Sequence, residues 1–376
     1  MSQPVIDPNL YESMLAQKQQ IICEQFASFK LPNVEVFASP PTAYRMRVEF
    51  RVWHNGDEID YVMFTPGSNH EHTKVTSCAM ASEIIQQHMF VLLDLIRPVT
   101  ILRNKLFQID FLSTSSGELL ISLLYHKAIG DEWRLAAEDV QRELRNRADD
   151  KQKIELIGRA RKTKIVLGRD HVIEKLQIDG TTFIYQQVEN SFTQPNVHVC
   201  QHMLHWALEV TKGKGGDLVE LYCGNGNFSL PLAKNFNSVI ATEISKSSVN
   251  SAQYNIKANK IDNVTVLRMS SEEFSQALQG VREFRRLKLK AINLSDYRFT
   301  TVLVDPPRSG LDSKTIEQVA RYDNIVYISC NPATLQLNLL DLSETHQITR
   351  FALFDQFPYT DHLEMGVFLQ RKQSFQ

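Results

Sequence analysis

Two short apolar runs, each stopped by proline, constrain the second half of this chain more than anything else in it. Residues 302–304, Val-Leu-Val, run into Asp305-Pro306-Pro307-Arg308-Ser309-Gly310, and 325–328, Ile-Val-Tyr-Ile, run into Ser329-Cys330-Asn331-Pro332. A β-branched run of this length reads as a buried strand. Proline lacks the N–H that a sheet ladder needs, and so ends it. In open α/β sheets chemistry sits outside the carboxyl ends of such strands. One exit carries an acid, Asp305, and the next carries a thiol, Cys330. Most free cysteines are small buried hydrophobes. A strand-end position followed by Asn-Pro instead puts Cys330 at a cleft.

From about residue 196 the pattern alternates between helix and strand, which predicts a parallel sheet with helices on both faces. Helices are expected at 197–212, from 226, at 246–259 and at 313–321. Strands are expected at 217–222, 238–242 and 264–268, and before Asp305 and Cys330. Residues 217–229 read as a strand, a glycine turn and a helix start. Gly224 and Gly226 allow the backbone to approach a ligand, and the helix start offers free N–H groups. Nineteen residues beyond Gly224, at the end of the next strand, Glu243 is placed to accept hydrogen bonds from ribose hydroxyls. A dinucleotide site would carry a third glycine, whereas 224–229 is Gly-Asn-Gly-Asn-Phe-Ser. That favours S-adenosylmethionine, an adenosine without a pyrophosphate, over NAD(P). A basic run at 282–290 reads as a surface helix or insert.

The first ~180 residues differ: they read as an α+β module with basic surfaces and no catalytic constellation. An amphipathic helix is expected at 8–30. A hairpin around Asn55-Gly56 follows, with Arg45, Arg47 and Arg51 on a solvent face and Met46, Val48, Phe50 and Val52 on a core face. A second hairpin spans 107–125 and a helix 131–148. Residues 145–169 hold nine Arg or Lys side chains suited to phosphate contact.

With 376 residues the chain has room for two or three domains. The net charge of −2 means that any nucleic-acid contact rests on local patches. Five scattered cysteines without a CxxC pair argue against a zinc ribbon, an iron–sulfur cluster and a disulfide framework. The histidines show no ligand spacing, so no metal is expected. No run approaches the roughly 20 apolar residues of a membrane span. Residues 1–7 lack a signal-peptide core, so a cytoplasmic protein is expected.

Five motifs fall together in order: 191–196 (Ser-Phe-Thr-Gln-Pro-Asn), 220–228 (Glu-Leu-Tyr-Cys-Gly-Asn-Gly-Asn-Phe), 305–310, 329–332 and 362–364 (His-Leu-Glu). Through them the chain closely resembles the tRNA (uracil-5-)-methyltransferase family over essentially its full length. The resemblance implies a Rossmann-like S-adenosylmethionine-dependent methyltransferase domain, 181–376, preceded by an α+β RNA-binding domain, 1–180. It implies C5 methylation of uridine-54 in the T-loop of tRNA, forming 5-methyluridine, with the T-loop-like region of tmRNA as a second substrate. Cys330 would add to C6 of the uracil and Glu364 would remove the C5 proton. Gln194, Tyr222, Asn227, Glu243 and Asp305 would surround the cofactor, with Asp305 open to orienting the base or thiol and Gln194 to touching the uracil. No metal, membrane or obligate protein partner is implied.

Three alternatives are weighed against this reading. Related ribosomal-RNA enzymes share the catalytic motifs but typically add a β-barrel domain and a four-cysteine cluster site, both lacking here. An RNA chaperone that folds tRNA would not need Cys330 or Glu364. An exocyclic amino-methyltransferase would carry an aromatic residue after the prolines, where this chain has Arg308.

Overall fold

The structure is a computed structural model that describes residues 6–64 and 71–373. Most of the stretch read as lacking a signal-peptide core, residues 1–5 of 1–7, lies outside the described residues. The chain forms two compact units. The first comprises residues 1–9, 40–175 and 187–197; the second comprises 10–39, 176–186 and 198–376.

The second unit is built on an eight-stranded sheet in the order Val34–Phe37, His346–Phe354, Glu364–Arg371, Asn324–Ser329, Phe299–Val304, Asp217–Leu221, Val239–Thr242, Val264–Leu267. All neighbours pair in parallel except Glu364–Arg371, which runs antiparallel to both strands beside it. Every residue of Asn324–Ser329 and of Asp217–Leu221 is buried. That is the signature of parallel strands covered on both faces, and it explains their near-continuous apolar sequence. From Asp217–Leu221 the strand order runs one way through Val239–Thr242 and the other way through Phe299–Val304. Such a reversal opens a crevice at the carboxyl ends.

The expected strands and helices of this unit are present, with one marked shortening. The helix expected from 226 is only Ser229–Leu232, continued as a 3-10 turn to Asn235. Pro231 lacks the N–H that would bond the carbonyl of Asn227 four residues back. The hydroxyl of Tyr185 donates to that carbonyl instead, at 2.9 Å.

The first unit holds a seven-stranded sheet, ordered His72–Lys74, Glu58–Phe64, Arg47–Asn55, Leu106–Ser113, Glu118–Tyr125, Lys153–Ala160, Thr163–Leu167. Both expected hairpins are there. The helix Asp131–Asn146 crosses between the two parallel neighbours, Glu118–Tyr125 and Lys153–Ala160. It seats Trp133 against Gly158, where a Cβ would lie 2.4 Å from the indole. A separate two-stranded sheet pairs His171–Ile178 with Thr181–Val188.

Two expectations about basic surfaces change. Arg51 is exposed, but Arg45 and Arg47 are half-buried, and Arg47 Nη2 donates to the Ser191 carbonyl at 2.7 Å. In the stretch 145–169 much of the charge is spent internally. Arg145 and Arg169 pair with Glu155, Arg169 and Lys153 with Glu118, Arg159 and Lys164 with Glu189, and Lys164 with Asp170. Among the described residues Arg147, Lys151, Arg161 and Lys162 make no ion pair, so the patch is smaller than its sequence suggests.

Candidate active site

Asp305 and Cys330 each stand one residue past a strand, as the proline stops require. Val304 pairs with Tyr327 in parallel, so the two exits are neighbours on one sheet edge. The third group comes from the antiparallel strand. Its ladder closes with the pair Ser329↔Met365, and the next residues along are Cys330 and Glu364. The register therefore sets Glu364, which is 6% exposed, opposite the half-buried thiol. Asn331 caps the helix Pro332–Leu342, its side chain accepting from the Ala333 N–H at 3.1 Å, and Pro332 opens that helix with its fixed φ. Two local helix-start signals thus fix the backbone on which the thiol sits.

Burial and like charge govern this cluster. The Cys330 thiol is pushed up to about 11, first by burial, then by Glu364 and Asp305, with the Arg308 guanidinium pulling the other way. Burial holds Asp305 up at about 7. Glu364 is also raised well above the carboxylate range by burial and by Asp305, again opposed by Arg308. Burial biases all three groups toward their proton-bound forms, and a cation at the rim of the site opposes that bias at Cys330 and Glu364. The outward side of that rim is Arg308 itself, which meets Nδ1 of His362 at 3.5 Å.

The glycine turn lies at the end of Asp217–Leu221. Tyr222 holds φ at +64°, a region an aromatic residue enters only when its surroundings force it. Its hydroxyl meets Ser271 Oγ at 3.0 Å. Gly226 is obligatory on two counts: φ is +81°, and a Cβ would lie 2.7 Å from Leu230. Glu243 reaches back across the turn, accepting from the Gly224 N–H at 3.1 Å and the Ser245 N–H at 2.7 Å. Asn227 turns its amide toward the Cys200 thiol at 3.6 Å. Gln194 is half-buried on the segment 187–197 of the first unit. The structure thus brings Cys330, Glu364 and Asp305 together, and places Tyr222 and Asn227 on one turn with Glu243 bonded across it.

Residue reasoning missed Glu220, under the turn. It is 1% exposed, accepts a short hydrogen bond from the Ser229 hydroxyl, and is raised to about 8 by burial, against that bond, with Asp305 and Glu243 adding to the rise. It reads in sequence as one more strand residue; an acid set among Leu218, Val219 and Leu221 was the available signal. Arg308 was quoted in its motif without a role, and only the fold shows that its charge reaches both Cys330 and Glu364.

S-adenosylmethionine fits the residues present. Around Gly224 a Cβ would meet nothing within 4 Å, so the backbone of the turn borders open space. Glu243 and Asp305, at the exits of the two strands that flank Asp217–Leu221, offer acceptors for hydroxyls on either side of the turn. Among the described residues no group of three or more His, Cys, Asp or Glu could hold a metal ion. No helix among them is long and apolar enough to cross a membrane.

The fold and site define a Rossmann-like methyltransferase. The same fold is found in Pyrococcus abyssi tRNA (uracil-54, C5)-methyltransferase, solved in complex with S-adenosyl-L-homocysteine, with a TM-score of 0.71 at 20% identity over 96% of this chain and 83% of that one. The family model for tRNA (Uracil-5-)-methyltransferase matches residues 10–372. The chain is 56% identical to the tRNA/tmRNA (uracil-C(5))-methyltransferase of Psychromonas ingrahamii, over 99% of this chain and all of that protein. It is 54% identical to the one from Aeromonas hydrophila, over 98% and 96%. The protein belongs to the tRNA (uracil-5-)-methyltransferase family.

Proposed function

We propose that the protein methylates C5 of uridine-54 in the T-loop of tRNA, and the T-loop-like region of tmRNA, in the cytoplasm and without an obligate protein partner. The observation that supports the reaction is that a thiol, Cys330, and a buried carboxyl group, Glu364, are the next residues past the closing pair Ser329↔Met365. C5 of uracil is a weak nucleophile. Addition of the Cys330 sulfur to C6 turns the ring into an enolate and makes C5 nucleophilic. S-adenosylmethionine, when bound, supplies the electrophilic methyl group. Glu364 then takes the proton from the methylated C5, the C5–C6 double bond re-forms, and the thiolate leaves. Asp305, Glu243, Tyr222, Asn227 and Gln194 are assigned to the cofactor side, and Arg308 to offsetting the negative charge that develops as the thiolate and the enolate form.

The first unit is assigned to RNA. The target uridine is stacked and paired in folded tRNA, so extruding it costs a few kcal/mol. Phosphate contacts from exposed cations such as Arg51 supply binding energy toward that cost. Intact mass after incubation with a T-arm RNA carrying 5-fluorouridine tests the whole scheme, because fluorine at C5 blocks the final proton removal. A methylated covalent adduct is expected. Binding without an adduct identifies a chaperone, and an adduct with ribosomal RNA alone moves the substrate.

A further inference from the structure

Lys18 lies on the helix Tyr11–Gln25, remote in sequence from the thiol and its carboxyl partner, and is only 7% exposed. Its ammonium has three donors, and all three are used within the second unit. They reach Asp355 Oδ1 at 2.7 Å, the Phe357 carbonyl at 3.0 Å and the His362 carbonyl at 3.2 Å. A buried ammonium is costly, and structures keep one only where it is fully paired. Burial lowers its proton affinity, and the Asp355 carboxylate offsets only part of that fall.

The three acceptors belong to one segment, residues 355–363, which joins His346–Phe354 to Glu364–Arg371. This segment has little regular structure of its own. The Thr360 hydroxyl donates to the Phe357 carbonyl at 2.8 Å, and Tyr359 holds φ at +61°. Lys18 therefore grips the segment at its start, near its middle and two residues before Glu364. The same His362 whose carbonyl it holds meets Arg308 through its ring at 3.5 Å.

We infer that Lys18 is a positioning residue for Glu364, fixing the path by which that carboxyl group enters the site. The inference rests on the reading of Glu364 as the base that takes the C5 proton. Cys330 is carried by a different strand and its own helix cap, so loosening 355–363 leaves thiol addition alone. The defect falls on the elimination step.

The experiment uses the full chain with unmodified tRNA. Lys18→Met strands the Asp355 carboxylate in the interior. Lys18→Met/Asp355→Leu removes both charges and still lacks the tether to the two carbonyls, so it serves as the second arm. In each folded variant kcat should fall about 10- to 100-fold. KM for tRNA and cofactor affinity should stay within about twofold. A methylated, denaturation-resistant protein–RNA complex should accumulate. A simple loss of stability would not produce that complex. Wild-type turnover in the double variant, or slow turnover without the methylated complex, overturns the inference. Glu364→Gln is run alongside. If it stalls as a methylated complex and the Lys18 variants do not, the inference alone falls. If it does not stall, the assignment of the base falls and the inference falls with it.

Discussion

The side-chain amide of Asn331 donates to the carbonyl of Arg308 at 2.8 Å, tying the loop after the thiol to the loop after the acid. The Thr334 hydroxyl reaches the same carbonyl at 3.2 Å. Asn338 completes the clamp, accepting from the Leu311 N–H at 2.9 Å and donating to the Leu311 carbonyl at 3.1 Å. Two proline-stopped strand exits are thereby held as one rigid edge.

Gly310 makes that clamp possible. Its φ is +73°, and a Cβ there would lie 2.8 Å from Asn338 Oδ1. Gly310→Ala should destabilise the fold by about 1–3 kcal/mol and lower turnover beyond what unfolding explains. Denaturant melts and single-turnover methylation on the folded fraction check this. An unchanged midpoint with unchanged rate would separate the clamp from catalysis.

Cys330→Ala should reduce turnover about 10⁴-fold or more and abolish adduct formation. S-adenosylmethionine affinity should hardly change, since the role proposed for the thiol is toward the uracil. In the free protein the thiol is held up at about 11, so its alkylation rate should climb by about one decade per pH unit through the neutral range. The Cys330-dependent part of iodoacetamide uptake reads this directly. A plateau already reached at pH 7 would mean that the thiolate exists before RNA arrives.

Glu364→Gln keeps the shape of the side chain but accepts no proton. Turnover should fall about 10²- to 10⁴-fold. Addition and methyl transfer still occur, so natural tRNA should remain bound covalently and methylated, and Cys330→Ala in the same chain should abolish the complex. An unmethylated adduct, or normal turnover, would shift the base role to Asp305.

Asp305 contributes, beside the buried Glu220, to the pH dependence of stability. Its folded-state value of about 7 lies above the ordinary carboxylate value of about 4. Between those limits the folded protein keeps a proton that the unfolded chain has lost, so stability is greatest below pH 4 as far as this group is concerned and declines as pH rises toward 7. Asp305→Asn should flatten that decline. Urea midpoints across the window measure it, and an identical slope in wild type and variant would contradict the assignment.

Arg51 is exposed, stands 5.6 Å over the Phe107 ring and makes no ion pair among the described residues. Arg51→Glu should weaken tRNA binding and reduce the salt slope by about 0.7 to 0.9 per lost phosphate contact, leaving cofactor binding intact. Equal slopes would remove this strand from the RNA interface.

What was legible in the sequence was local. Proline stops, β-branched runs and the glycine turn each act within a few residues, and they located Asp305, Cys330 and Glu243 at strand ends. Glu364 was reached through family resemblance alone, because its place depends on a register between strands 35 residues apart that no local pattern encodes. The basic run 145–169 misled for the same reason: two of the acids that neutralise it, Glu118 and Glu189, lie outside the run. The buried Glu220 depends on Ser229, nine residues on, and Lys18 on acceptors over 330 residues away.

The antiparallel strand Glu364–Arg371 fills the gap between Asn324–Ser329 and His346–Phe354, so it is both an internal member of the sheet and the bearer of Glu364. Under the roles proposed above, a chain with Cys330 but no Glu364 would capture RNA and be unable to let it go. Until residue 364 and the strand after it have emerged, the sheet is split and the thiol has no finished cleft around it. Under the proposed roles, the power to capture a transcript and the power to release it depend on one and the same sheet.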